Sequence, residues 1–126
     1  MNTPPAKVLA TGLAAVRIGV GCFGLVAPGA FVQIWTGLDR HSRQVRTIGF
    51  AVAARDLALG IGGLQAVRSG GNSALWLRCG ALADAADFVA TIKGFGALPR
   101  WRREPLVLAA AASAATAWWL AREADA

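Results

Sequence analysis

IGFAVAARDLALGIGGLQAV, residues 48–67, is a twenty-residue run made mostly of alanine, glycine, leucine, isoleucine and valine, with Arg55 and Asp56 side by side near its middle. About 20 apolar residues are what an α-helix needs to cross a bilayer core. An ionisable group facing lipid there costs roughly 2.5–3.5 kcal/mol on insertion scales. The run therefore reads as a membrane span whose charged pair must face other helices.

The rest of the chain agrees with that reading. Of 126 residues, 56% are hydrophobic and only 16% charged, which is more apolar surface than a soluble domain of this size can hide. Three further windows have span-like length and character: VLATGLAAVRIGVGCFGLVA (8–27), ALWLRCGALADAADFVATI (74–92) and PLVLAAAASAATAWWLA (105–121). The first resembles a signal peptide, but it lacks an A-x-A cleavage site and three apolar segments follow it, so it is expected to remain as a first span. RSGGNS (68–73) is a tight polar turn between the second and third spans. In 28–46, Phe31, Ile34, Trp35 and Leu38 recur at helical spacing after the Pro28-Gly29 break, which predicts a short amphipathic helix in the membrane interface. Pro105 suits the first turn of the last helix. The expected fold is all-α: a single transmembrane domain over 1–126, an integral membrane four-helix bundle with a short interfacial amphipathic helix between spans one and two.

Basic residues orient such a bundle. The first and third connections hold Arg40, Arg43, Arg46, Lys93, Arg100, Arg102 and Arg103; the other side holds Lys7, Arg68 and Arg122. The excess places the two connections in the cytoplasm and both termini outside. Tryptophan favours the interface, and on this scheme Trp35 and Trp101 anchor the inner boundary while Trp76, Trp118 and Trp119 anchor the outer. The richness in alanine, glycine and arginine suggests a GC-rich bacterial genome, and with the spans the expected location is a bacterial inner membrane. The formal net charge of +6 is not attributed to nucleic-acid binding, because no recognition motif and no continuous basic face accompanies it.

Three arginines and three aspartates remain inside the spans: Arg17, Arg55, Arg78, Asp56, Asp84 and Asp87. Helical spacing lines Asp56 up with Gly49, Ala53, Gly60 and Gly63, Asp84 and Asp87 with Gly80, Ala83 and Thr91, and Arg17 with Gly21 and Gly24. Small residues let helices approach closely, so these stripes predict buried pairs: Arg17 with Asp56, and Arg55 with Asp84 or Asp87. Such pairs serve either to fix helix register or to form a working polar site. The working version rests on Asp84 and Asp87, like charges one turn apart that can share a proton.

Other candidates carry less. His41 has no metal-binding companions in its loop. Cys22 and Cys79 lie at depths about 12 Å apart, too far for a disulfide, and are expected to be small packing residues. Phe31, Trp35 and the basic residues after them suit a grip on anionic lipid or a simple anchor. There is no nucleophile elbow, zinc-protease helix or phosphate-binding glycine loop, so neither a cofactor nor a metal is expected.

On AARDLALGIGGLQAV (53–67) and GALADAADFVATI (80–92) the chain resembles the small four-span bacterial membrane proteins of the DoxX-like type. That resemblance implies a four-span architecture and a companion to a larger assembly. The expected function is accordingly an inner-membrane accessory subunit of a membrane complex handling lipid or cell-envelope components. Its partners would be membrane lipids and another membrane protein or a second copy of the chain. The alternatives are a small membrane enzyme using Asp84 or Asp87 as general acid on a lipid or isoprenoid, and a proton-coupled carrier.

Overall fold

The structure, a computed structural model, describes residues 3–125. These form five α-helices: α1 (Pro4–Val26), α2 (Pro28–Thr36), α3 (Arg43–Ser69), α4 (Ser73–Lys93) and α5 (Arg100–Asp125), with one 3₁₀ turn at Phe95–Ala97. No strand occurs among the described residues.

Local chemistry sets the boundaries. Prolines at its first two positions start α1, where their missing amide hydrogens go unneeded. The Ser42 hydroxyl accepts from Val45 N to begin α3, and the Asn72 carboxamide oxygen accepts from Leu75 N to begin α4. Gly37 and Gly70 close α2 and α3 at φ +75° and +68°, a left-handed conformation that glycine adopts without steric cost. The last helix departs from expectation, since it begins at Arg100 and leaves Pro105 inside it. Arg103 folds back to donate to the carbonyls of Leu98 and Gly96, which ties the linker down and lets the helix start early.

Three helices, α1, α3 and α5, are long and apolar enough to cross a membrane. The expected third span, α4, is not among them. Its 21 residues include Arg78, Asp84, Asp87 and Lys93, so every 18-residue stretch of it carries at least three charges, whereas each of α1, α3 and α5 has one with no more than two. The amphipathic stripe of the first connection also differs. Phe31 and Val32 of α2 turn inward, Ile34 and Trp35 are exposed, and Leu38 falls beyond the helix end.

The four long helices close a ring: α1 packs closely on α3, α3 touches α4, α4 packs closely on α5, and α5 returns to α1. The contact surfaces are built from alanine and glycine. Ala6, Ala10 and Ala14 on α1, Ala53 on α3, and Ala117 and Ala121 on α5 are all buried, and Leu120 is the one large side chain that is fully enclosed among the described residues. Many large apolar residues, among them Val8, Val16, Val26, Ile48, Phe50, Leu82 and Leu108, face outward. Lipid-facing helices show this arrangement, because hydrocarbon rather than water surrounds them.

The two ends of the ring are distinct. At one end Lys7, the Gly70–Ser73 turn, Ala124 and Asp125 line a common cleft. At the other, Gly37 lies against the Pro99 ring, which brings the end of α2 to the α4–α5 linker. Helix α4 therefore runs from one end to the other. Cys22 and Cys79, expected as packing residues, are free and exposed instead.

Candidate functional site

The buried polar residues are Arg17, Asp56 and Asp84, each no more than 9% exposed. Burying charges without partners costs several kcal/mol per ion, and the three satisfy one another. Arg17 sits on the buried stripe of α1 with Gly21 and Gly24 and reaches across the ring. Its Nη2 donates to Asp84 Oδ2 at 2.6 Å and to the Gly80 carbonyl at 3.3 Å, and its Nη1 lies 3.5 Å from Asp56 Oδ1. Glycine at position 80 leaves room for this approach, since a Cβ there would stand 3.1 Å from Arg17 Nη2, a tight contact.

Asp56 Oδ1 is a shared acceptor. Arg55, its sequence neighbour, donates to it through Nε at 3.2 Å and Nη2 at 3.0 Å. The same guanidinium grips Asp87 with a two-pronged contact, Nη1 to Oδ1 at 2.8 Å and Nη2 to Oδ2 at 2.7 Å, the strong geometry for an arginine–carboxylate pair. From α5, the Ser113 hydroxyl donates to Asp84 Oδ2 at 2.6 Å. The result is one continuous chain, Ser113–Asp84–Arg17–Asp56–Arg55–Asp87, that takes in all four long helices.

The pairing agrees with expectation at Arg55, which takes Asp87 of the two acids open to it, and departs from it in two ways. Arg17 meets the expected Asp56 only at the outer limit of hydrogen bonding, and its short contact is with Asp84. Arg78 stands outside the network and pairs with Asp125 at the end of α5. It lies six residues before Asp84 on α4, about 120° away around the helix, and only two turns from the Gly70–Ser73 turn. Removing Arg78 leaves two guanidinium groups against three carboxylates, an excess of one negative charge. Asp84 and Asp87, the acids expected to share a proton, meet different arginines, Arg17 and Arg55. Asp84 is enclosed, whereas the Asp87 side chain is 40% exposed at the edge of the ring.

Ser113 is a participant that the charge pattern did not reveal. Its signal lies in helical spacing, four residues before Ala117 and seven before Leu120, the buried positions of α5. Thr91, grouped with the α4 stripe, bonds the Asp87 carbonyl on its own helix. The five tryptophans are all exposed, with Trp76 also packed over Gly62 of α3. The cavity beside Arg17, lined in part by Trp76, Leu77 and Gly80, measures about 20 Å³, room for one water and nothing larger. Among the described residues no group of three or more histidine, cysteine, aspartate or glutamate side chains is placed to hold a metal ion.

Comparison with protein-family models, with curated proteins and with solved structures found no match for this chain.

Proposed function

We propose that this chain is a four-span protein of the bacterial inner membrane that serves as an accessory subunit of a larger membrane complex, in keeping with its resemblance to the DoxX-like type. One observation carries the reading: the ionisable side chains within the ring are engaged with one another, and the space beside Arg17 admits no substrate. The polar chemistry is then a latch that selects one packing of weakly apolar helices. An interior network gives alanine-rich helices a register that small residues alone leave loose.

Four crossings suit the placing of the helix ends. Helix α5 begins beside Gly37, at the end where α3 also begins, so a chain whose α3 and α5 both cross returns between them, and α4 covers that distance with about 32 Å of helix. Its acids face Arg17 and Arg55 rather than lipid, which offsets their insertion cost. The basic connections then lie in the cytoplasm with α2 along the inner interface, and both termini lie outside.

The outward face of α5 favours a protein partner. Ala111, Ala112, Ala115 and Thr116 are exposed there, and small residues on a span allow a second helix to approach closely. Asp87 at the ring's edge favours the second reading, an enzyme acting on a lipid with this carboxyl as general acid. Purification from the native host in mild detergent separates the two. The subunit reading expects a stoichiometric membrane-protein partner that Ala111→Phe/Ala115→Phe releases without loss of folded monomer. A chain that purifies alone with bound lipid, and is indifferent to those substitutions, supports the enzyme.

A further inference from the structure

At the α2 end the chain forms a second polar feature, separate from the buried network. Pro28, His41, Arg43, Arg46, Thr47 and Phe50 line a cavity of about 470 Å³. On α3, Arg43, Arg46, Thr47 and Phe50 follow the i, i+3, i+4, i+7 spacing of one helix face, so the cationic groups stand at the helix end and the aromatic ring about two turns deeper. Phe50 is exposed, and Pro28 is the other apolar residue of the lining. The wall thus changes from cationic to apolar along the helix axis.

The cations here are not used internally. Among the described residues Arg17, Arg55 and Arg78 all pair with carboxylates, whereas Arg43 and Arg46 enter no ion pair. The hydroxyl of Thr47 is spent on the Arg43 carbonyl. His41 is held in place: its backbone N–H donates to Asp39 Oδ1, and its Nε2 accepts from Arg40 Nε at 3.2 Å. A ring that accepts at Nε2 carries its proton on Nδ1, so it offers a donor.

We propose that this cavity binds the phosphate of an anionic membrane phospholipid, with Arg43 and Arg46 on the phosphate, His41 beside it, and the acyl chains running down over Phe50. Two arginines suit a phosphate because the guanidinium fork matches its oxygens, and cations at the inner interface attract anionic headgroups. The apolar floor is what selects a lipid over a free phosphate ion. Phe31 and Trp35, the aromatic residues the sequence offered for such a grip, are not part of the cavity wall. The site depends on the chain being membrane-embedded but not on its being a subunit.

Native mass spectrometry of the full chain in detergent, titrated with dioctanoyl phosphatidylglycerol, tests the site. Each arginine near an anionic headgroup contributes roughly fivefold in affinity, so Arg43→Gln/Arg46→Gln should weaken binding by about 25-fold. Lys93→Gln/Arg100→Gln removes the same charge outside the cavity and should change binding less than about twofold. Dioctanoyl phosphatidylcholine and inorganic phosphate should bind at least about tenfold more weakly than phosphatidylglycerol. Equal losses in the two double variants would reduce the effect to diffuse charge and overturn the site. Tighter binding of inorganic phosphate than of phosphatidylglycerol would overturn the lipid assignment. Co-purification of a protein partner bears on neither outcome, which keeps this test separate from that of the subunit reading.

Discussion

Arg17→Met should reduce folded, monodisperse protein in detergent more than any other single substitution in the network. The side chain is enclosed and serves Asp84, Asp56 and the Gly80 carbonyl at once, so its loss strands the Asp84 carboxylate in the interior and leaves Asp56 with Arg55 alone. Removing one partner of a buried ion pair costs about 3–5 kcal/mol, a large part of the stability of a domain this small. The triple variant Arg17→Met/Asp56→Asn/Asp84→Asn should recover much of the loss, because no lone charge then remains and the carboxamide introduced on α4 can still accept from Ser113. Arg55→Gln is expected to cost less, about 1–2 kcal/mol, since Arg55 and Asp87 are partly exposed and solvent screening weakens their pair. Fluorescence-detected size exclusion and thermal unfolding measure all three. An Arg17→Met protein as stable as the parent would show that the cross-ring contacts hold nothing together.

The second large effect lies where α1 meets α3. A Cβ at Gly21 would stand 2.6 Å from the Leu57 amide nitrogen and 2.8 Å from the Ala53 carbonyl oxygen; one at Gly60 would stand 2.8 Å from Ile18 N and 2.9 Å from Ala14 O. These are backbone atoms and cannot rotate aside, so even alanine forces the helices apart. Overpacking typically costs about 1–3 kcal/mol per site, and Gly21→Ala and Gly60→Ala should each lose that much. The opposite result is expected at Gly12 and Gly19, where nothing lies within 4 Å. There Gly→Ala should raise stability by about 0.5–1 kcal/mol through lower backbone entropy in the unfolded chain. Thermal unfolding of the four variants in one detergent provides the comparison. Uniform stabilisation across all four would mean that α1 and α3 do not touch along this face.

The sequence made some of this legible, and residue type decided how much. On α3, glycine, alanine and aspartate at helical spacing mark the buried face, because only small residues and paired charges tolerate close helix contact. Gly49, Ala53, Asp56 and Gly60 are indeed buried there. The partner of each charge was less legible. Arg17 has Asp56 and Asp84 within reach, and choosing between them requires the depth and rotation of α4 relative to α1, which no local pattern encodes. Arg78 was misplaced for the same reason: span limits drawn from apolarity alone put it inside, whereas its rotation on α4 turns it toward Asp125. Ser113 and Thr116 stand out as the polar side chains of an alanine-rich helix, but a hydroxyl carries no charge to be balanced, so the bond from Ser113 to Asp84 was not legible. Pro105 misled because proline also tolerates a position inside a helix when the preceding turn is held from outside, here by Arg103. The difference at α4 has another origin. Apolarity alone counts every charge against a span, and it gives no credit for Asp84 and Asp87 being paired with arginines of α1 and α3.

Whether α4 crosses is therefore the point on which the architecture turns, and cysteine accessibility in intact cells tests it most directly. In a Cys22→Ser/Cys79→Ser background, single cysteines at Asn72, in the α3–α4 turn, and at Ala97, in the α4–α5 linker, mark the two ends of α4, and Ser42→Cys marks the start of α3. A membrane-impermeant maleimide added from outside should label Asn72→Cys while sparing Ala97→Cys and Ser42→Cys until the cells are opened. Equal labelling at positions 72 and 97 would place both ends of α4 on one side of the membrane and contradict the four-span fold.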